Sequence, residues 1–294
     1  MTNPILHNYI ISESEWAQIS HLFPVEPEPS PKGGGRYIPN HVTFQAALYW
    51  LCDGLARARV KTYTGVCYDT LAGRVDQWIA AGVFDGLRRL ALDMHDEFHG
   101  LKTILLLLDG RLGQAPNGGE DTGRNPTDRG KKGTKISALT DSTGMPLSII
   151  SAPSNTHDSK LVEETLAASL VELPVGATLE LDRGYRGKPV RSTAAEHGLD
   201  VHIQEHAKRK RGKKTKTKAT SEPPAKNQTE AEVRTAPKRR SKRTPVECLF
   251  SKLNRHNGIK TRRLRLKRRW LALLQLACAI LTFRETSRRI ARPS

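Results

Sequence analysis

Aromatic residues make up only 5% of this 294-residue chain, which argues against a surface built to stack single-stranded bases. Cysteine is sparse too. Cys52, Cys67, Cys248 and Cys278 lie far apart and none forms a CxxC pair, so neither a zinc ribbon nor a disulfide framework is indicated, and a reducing compartment fits. The opening residues, MTNPILHNYI, lack the basic start and apolar core of a secretion signal. The longest apolar stretch, near Trp270 to Leu281, is too short to span a bilayer. Together these absences predict a soluble intracellular protein. Acidic residues are the last shortage: 30 against 48 Lys and Arg, a formal net charge of +18 and a pI near 10.0. Such a balance calls for a polyanionic partner, with nucleic acid the first candidate. The length allows two domains.

What is present begins with helices. Ser12 and Glu15 have capping-box spacing, and Trp16, Ile19 and Phe23 follow on one face up to Pro24. Further helices are predicted over about His41 to Ala56, about Tyr68 to Ala80, and onward from Gly82 through Phe84, Leu87, Leu90 and Met94. Basic residues lie on or between them at Arg57, Arg59, Lys61 and Arg74. This pattern suits a helix-turn-helix-like DNA module and equally a helical cap on the next domain.

The stretch TILLLLDGR, Thr103 to Arg111, organises the rest of the chain. Ile104 to Leu108 reads as a strand buried on both faces. It is expected to end at Asp109, with Gly110 letting the chain turn. Thr178 to Leu181 repeats the design and leads to Asp182. Between them, residues 112 to 134 read as a loop whose end, Asp128 to Lys135, packs cations among glycines without P-loop spacing. Lys135 to Thr140 and Pro146 to Ser151 form a hairpin around Asp141 to Gly144. A helix is expected to open at Asn155 to Asp158 and run to Leu170, with His157 in a capping or packing role. Another runs from about Pro189 to His197, and a short strand covers Val201 to Ile203.

Residues 207 to 243 hold fifteen Lys or Arg against three Glu. With almost no large apolar residues, this tract is expected to be a basic disordered insert. Pro245 then starts an amphipathic helix carrying Val246, Leu249, Phe250 and Leu253, with Glu247 on it. Arg262 to Arg269 reads as a basic stripe, and Trp270 to Arg284 as a final apolar helix packed on the sheet. Three carboxylates gathered from Asp109, Asp182 and Glu247 would repel one another unless hard cations such as Mg2+ or Mn2+ compensate. Spacing alone does not select these three from the other acidic residues.

Resemblance selects them. LLLLDG, DRGKKGTK, NTHDSK, LDRGYRG and RTPVECLFSKLNRHNGIKTRRL, with SEWAQISHLFP and WIAAGVFDGL before them, resemble the motifs of DDE transposases of bacterial insertion sequences. The group is the one named after insertion sequence five, and the resemblance runs nearly end to end. It implies a ribonuclease H-like fold, a mixed sheet flanked by helices (residues 99–294), behind an N-terminal all-helical domain (1–98) that binds DNA. It implies Asp109, Asp182 and Glu247 as the catalytic triad holding two Mg2+ or Mn2+ ions. Arg129, Lys131, Lys132, Lys135, Arg243, Asn254 and Arg255 would contact DNA. Metal-dependent cutting and joining of double-stranded DNA at the element's terminal repeats would result, by a homodimer or larger assembly in a bacterial cytoplasm, near the nucleoid. Two other readings stay open: a non-catalytic DNA-binding relic or repressor, and a metal nuclease that cuts without joining.

Overall fold

The computed structural model describes residues 9–28, 37–203 and 245–290. Helix α1, Glu13–Ile19, starts on the expected capping box. The Glu15 amide donates to the Ser12 hydroxyl at 3.2 Å and the Ser12 amide donates to the Glu15 carboxylate at 2.7 Å. Then come α2 (Asn40–Asp53), α3 (Arg57–Thr64), α4 (Tyr68–Ala80) and α5 (Val83–His99). Helix α3 is an addition to the predicted set. Val60 is its one buried residue, so no apolar period announced it. Arg74, read as a DNA-facing cation, is instead buried in α4. It donates to Asn40 at 2.8 Å and to the Tyr37 hydroxyl, and stacks over the Tyr37 ring.

The sheet is mixed, and its centre is β1, Leu105–Gln114. On one side β3 (Lys132–Asp141) pairs antiparallel with β1, and β4 (Pro146–Pro153) pairs antiparallel with β3. The two-residue β2, Gly123–Arg124, pairs with the start of β3. On the other side β5 (Thr178–Leu181) runs parallel to β1, and β6 (Asp200–Ile203) parallel to β5. Alternation along β1 divides the core, as a two-residue period must. Leu106 and Leu108 join Val162, Leu166, Val190 and Ala194, from α6 (Val162–Ala167) and α7 (Lys188–Glu196), on one face. Leu107 joins the other core with Val246, Leu249 and Phe250 of α8 (Pro245–Leu253) and much of α10 (Lys267–Ile290). A short α9, Asn257–Lys260, lies between those two helices. The N-terminal helices belong to this second core. A mixed α/β sheet flanked by helices is therefore the observed class, as the resemblance implied.

Four expectations need correction. The strand carrying Asp109 does not stop there; it continues for five residues to Gln114, because β3 supplies a partner for each of them. The 112–134 loop is thus shortened at both ends and holds β2. The helix expected to reach Leu170 is a short 3-10 turn, Asp158–Lys160, followed by α6 ending at Ala167. Helix α10 touches β4, but it packs chiefly along α5. The basic insert at 207–243 lies outside the described residues.

Two buried histidines tie the helical layer together and make stability pH-dependent. His95 Nδ1 meets the Thr286 hydroxyl at 2.9 Å, joining α5 to α10, and His256 Nε2 meets the Tyr9 hydroxyl at 2.8 Å. Burial depresses both to a pKa of about 4. Their folded pKa lies below the unfolded value, so the unfolded chain takes up more protons between the two. Stability is full above about pH 6.5 and falls as pH drops toward 4, by up to about 1.4 kcal/mol per unit for each ring. Urea unfolding at pH 7.5 and pH 5.0 should differ by roughly 2–4 kcal/mol. The double variant His95→Gln, His256→Gln should shrink that gap, and a difference between the two pH values that the double variant leaves unchanged would refute the account.

Candidate active site

Asp109 sits on β1 one residue beyond Leu108, which is held in the core at 1% exposure. The Gly110 amide donates to its carboxylate at 2.7 Å. β5 runs parallel beside β1 with Leu107 opposite Glu180. Continuing that register brings Asp182 level with Asp109. Asp182 leaves the strand and caps the 3-10 turn Arg183–Tyr185, its carboxylate accepting from the Gly184 amide at 2.7 Å. Glu247 lies in the first turn of α8, which packs against β1 and β3 through Val246, Leu249 and Phe250. A single amphipathic helix thereby carries an outward carboxylate over the sheet.

The electrostatics show which of these groups feel one another. Burial is the main force raising the Asp109 carboxyl, to about 6. The Gly110 amide opposes it, and the carboxylates of Asp182, Asp158 and Glu247 add to it in that order. Asp109 is thus the partly desolvated centre of a negative cluster that includes the other two predicted residues. A fourth carboxylate, Asp158, was not among the candidates, although it stands in the NTHDSK motif. Its oxygen pairs with the Lys135 ammonium at 2.8 Å, and Lys135 also donates to the Thr156 carbonyl at 2.7 Å. Tyr185, in the LDRGYRG motif, is a second addition. It is 1% exposed, its hydroxyl has no hydrogen-bond partner among the described residues, and burial raises its pKa. Gly110 explains the close approach. A Cβ there would lie 2.3 Å from the Asp158 carboxylate and 3.4 Å from the Tyr185 hydroxyl. Its role is to admit those groups to the strand, and the turn expected at Gly110 is absent.

The donor set is all oxygen, with one carboxyl raised by burial and by its neighbours, which suits a hard divalent cation such as Mg2+ or Mn2+. Among the described residues, no three His, Cys, Asp or Glu side chains lie close enough to share one ion.

The remaining candidates scatter. Lys135 is buried in its ion pair with Asp158, inside the site. Arg129, Lys131 and Lys132 are exposed near the far end of β1, with Lys131 3.6 Å from Asp128. Asn254 follows α8 with its side-chain oxygen buried and without a partner among the described residues, and the neighbouring Arg255 is exposed. Arg243 lies outside the described residues. The stripe from Arg262 to Arg269 is not a uniform cationic face. Arg262 is fully buried, and Arg268 and Arg269 both pair with Asp76, at 3.0 and 2.9 Å.

Among curated proteins none matches the chain. Among solved structures, the piggyBac transposase synaptic complex with hairpin DNA is 13% identical over 99% of this chain and 73% of that chain, with a TM-score of 0.41. The Mos1 transposase paired-end complex with left transposon end is 12% identical over 58% of this chain, with a TM-score of 0.25. The chain spans 61% of that Mos1 chain's length. Superpositions this loose transfer no residue roles. No described helix is long and apolar enough to cross a membrane. The decisive match is local to the sheet and its helices: a family model, the transposase DDE domain, covers residues 100–283. That span is more than half of the molecule and contains both aspartate strands and the glutamate helix, and the chain belongs to the transposase DDE domain family.

Proposed function

We propose that this chain is the transposase of a bacterial insertion sequence in the insertion sequence five group, cutting and joining double-stranded DNA at the element's ends. The observation that carries this reading is the cluster centred on Asp109. Two aspartates at adjacent strands and a glutamate on the overlying helix belong to one electrostatic group. Since no three of these side chains converge on one point among the described residues, each of two divalent ions would be held by no more than two of the Asp109, Asp182 and Glu247 carboxylates, with water and phosphate oxygens completing its shell. Such ions would supply activation of the attacking oxygen and stabilisation of the leaving one. The protein's own part is positional. The β1–β3 pairing fixes Asp109, the Gly184 amide fixes the Asp182 carboxylate, and Lys135 neutralises Asp158 so that it adds less repulsion. The Tyr185 ring is buried beside Gly110 and backs the cluster from inside the fold. In the first step water attacks phosphorus and the P–O3′ bond breaks, the 3′ oxygen gaining the proton equivalent that water loses. The freed 3′-hydroxyl then attacks a phosphorus of target DNA in line, joining to it as that phosphorus's P–O3′ bond in the target strand breaks, the departing target 3′ oxygen gaining the proton equivalent that the attacking hydroxyl loses.

In this reading residues 1–98 form a DNA-binding helical domain and residues 99–294 the catalytic domain, acting as a homodimer or larger assembly in the bacterial cytoplasm, near the nucleoid. Arg129, Lys131, Lys132, Arg243, Asn254 and Arg255 serve DNA contacts, and the 207–243 tract adds sequence-independent attraction to phosphates. The test is a plasmid carrying two element ends, incubated with the protein and Mg2+, and scored separately for strand cleavage and for joined products. Both are expected. Cleavage without joining would make the protein a metal nuclease, and DNA binding with neither product would make it a repressor or relic.

A further inference from the structure

A cleft opens beyond the C-terminal end of β1, between the start of α3 and the segment that joins α9 to α10. Its outer part has a volume of about 520 Å3 and it deepens into a pocket of about 140 Å3. Trp50 and Leu273 line the deep part, and Arg57, Tyr68, Asn117 and Arg263 line both. The joining segment is held unusually firmly for an irregular stretch. Its Thr261 bridges to Gln114 of β1, and the Arg262 amide donates to the Gln114 carbonyl at 2.9 Å. The Arg262 guanidinium turns inward and donates to the carbonyls of Leu264, Glu120 and Asp121, while stacking on Trp270. Asn117 donates to the Arg263 carbonyl at 2.9 Å, and the Glu120 amide to the Arg265 carbonyl at 2.9 Å. Gly119 packs so tightly against Arg265 that a Cβ would lie 2.2 Å from its carbonyl oxygen.

Alternation does the rest. With Arg262 and Leu264 turned inward, Arg263 and Arg265 both emerge on the outer side of the segment and are exposed. Among the described residues neither has an acidic partner. Across the cleft Arg57 stacks on Tyr68 and shares its charge with the exposed Asp69 at 2.8 Å. Arg269, which also borders the cleft, is committed to Asp76. A firmly held backbone presenting two guanidinium groups with no acidic partner among the described residues is a preorganised polyanion site. Lys131 and Lys132 lie toward the same end of β1, since the Ala115 amide donates to the Lys132 carbonyl.

We infer that Arg263 and Arg265, with Arg57 opposite, grip the phosphodiester backbone of the DNA duplex away from the bond that is cut. This rests on the catalytic reading of Asp109. Five residues of strand separate Asp109 from Gln114, and two more separate Thr261 from Arg263, so the clamp lies roughly 17–23 Å from the acidic cluster. At 3.4 Å per base pair that is about five to seven base pairs. Guanidinium pairs match phosphates as forks, whereas the lysines near the same strand end act as point charges.

The test is a salt titration of binding to a random-sequence 40-base-pair duplex, alongside plasmid cleavage. R263Q/R265Q should flatten the slope of log K against log salt by about 1.8, at about 0.9 for each phosphate no longer neutralised. R263K/R265K should restore most of the slope. The single variants, each with about half the effect, carry the test if the double variant loses its fold by circular dichroism. An unchanged slope in folded R263Q/R265Q or in both singles overturns the clamp. The two readings fail separately: if D109N still cleaves, the catalytic assignment falls, whereas a dead D109N with an unchanged R263Q/R265Q slope removes only the clamp.

Discussion

Asp109→Asn should abolish strand cleavage while making the fold more stable. The amide keeps the size of the side chain and can still accept from the Gly110 amide, which now lies 2.7 Å from the carboxylate. It loses the negative charge that a divalent ion requires. Loss of at least about four kcal/mol of transition-state stabilisation is expected, or about 10^3-fold in rate. Duplex binding should change by less than about threefold, because it rests on Arg and Lys side chains elsewhere. The stability gain comes from the raised pKa. A carboxyl whose folded pKa, about 6, exceeds its unfolded value binds more protons folded than unfolded between the two. Stability therefore falls as pH rises through that window and stays lower above it. Removing the charge relieves this cost, and at pH 7.5 in EDTA the variant should gain roughly 1–3 kcal/mol against urea. Cleavage, gel-shift and urea unfolding on one preparation give all three readings. Undiminished cleavage would remove Asp109 from the mechanism, and a destabilised variant would refute the electrostatic account of the cluster.

Arg262→Leu should be the most destabilising single change at the junction of the helical layer and the sheet. The side chain is 0% exposed, and its guanidinium donates to the carbonyls of Glu120, Asp121, Leu264 and Arg265 and to the Thr134 hydroxyl. Burial lowers its pKa, with Asp121 and Glu120 opposing. Leucine would leave several buried acceptors unsatisfied and empty the space over Trp270, at a cost of about 3–5 kcal/mol. Arg262→Lys should recover part of that, since one ammonium cannot reach all the carbonyls that the planar fork reaches. Urea midpoints of the three proteins measure the order. A loss below about 1 kcal/mol for Arg262→Leu would mean that the segment is held by its backbone bridges to Gln114 and not by this side chain.

Much of the architecture is legible in local pattern. The capping box of α1, the apolar period of α4, the hairpin around Asp141 and the amphipathic face of α8 each arise from neighbours within a few residues, where sequence and conformation are directly coupled. The two short apolar runs ahead of Asp109 and Asp182 identify their strands for the same reason. Selecting Asp109, Asp182 and Glu247 from the other acidic residues needed resemblance, because local pattern says which residues face inward and nothing about which carboxylates from distant segments share one site.

The long-range choices belong to the tertiary structure. Gly110 reads locally as a turn, yet nine consecutive pairings with β3 carry β1 past it, and the missing Cβ makes room for Asp158 and Tyr185. Arg74 and Arg262 count as surface charge in any composition, but each is buried because partners remote in sequence, Asn40 and Tyr37 for one and the 120–121 carbonyls for the other, satisfy its donors. Asp158 is ordinary in a helix-opening motif until Lys135, twenty-three residues earlier, meets it at 2.8 Å. The sequence by itself determined most of the longer elements and the excess of cations, though not α3 or β2. Which cations are used up inside the molecule, and which, like Arg263 and Arg265, have no acidic partner among the described residues, was decided only by folding, since hydrogen-bond satisfaction is settled between segments that share no local pattern.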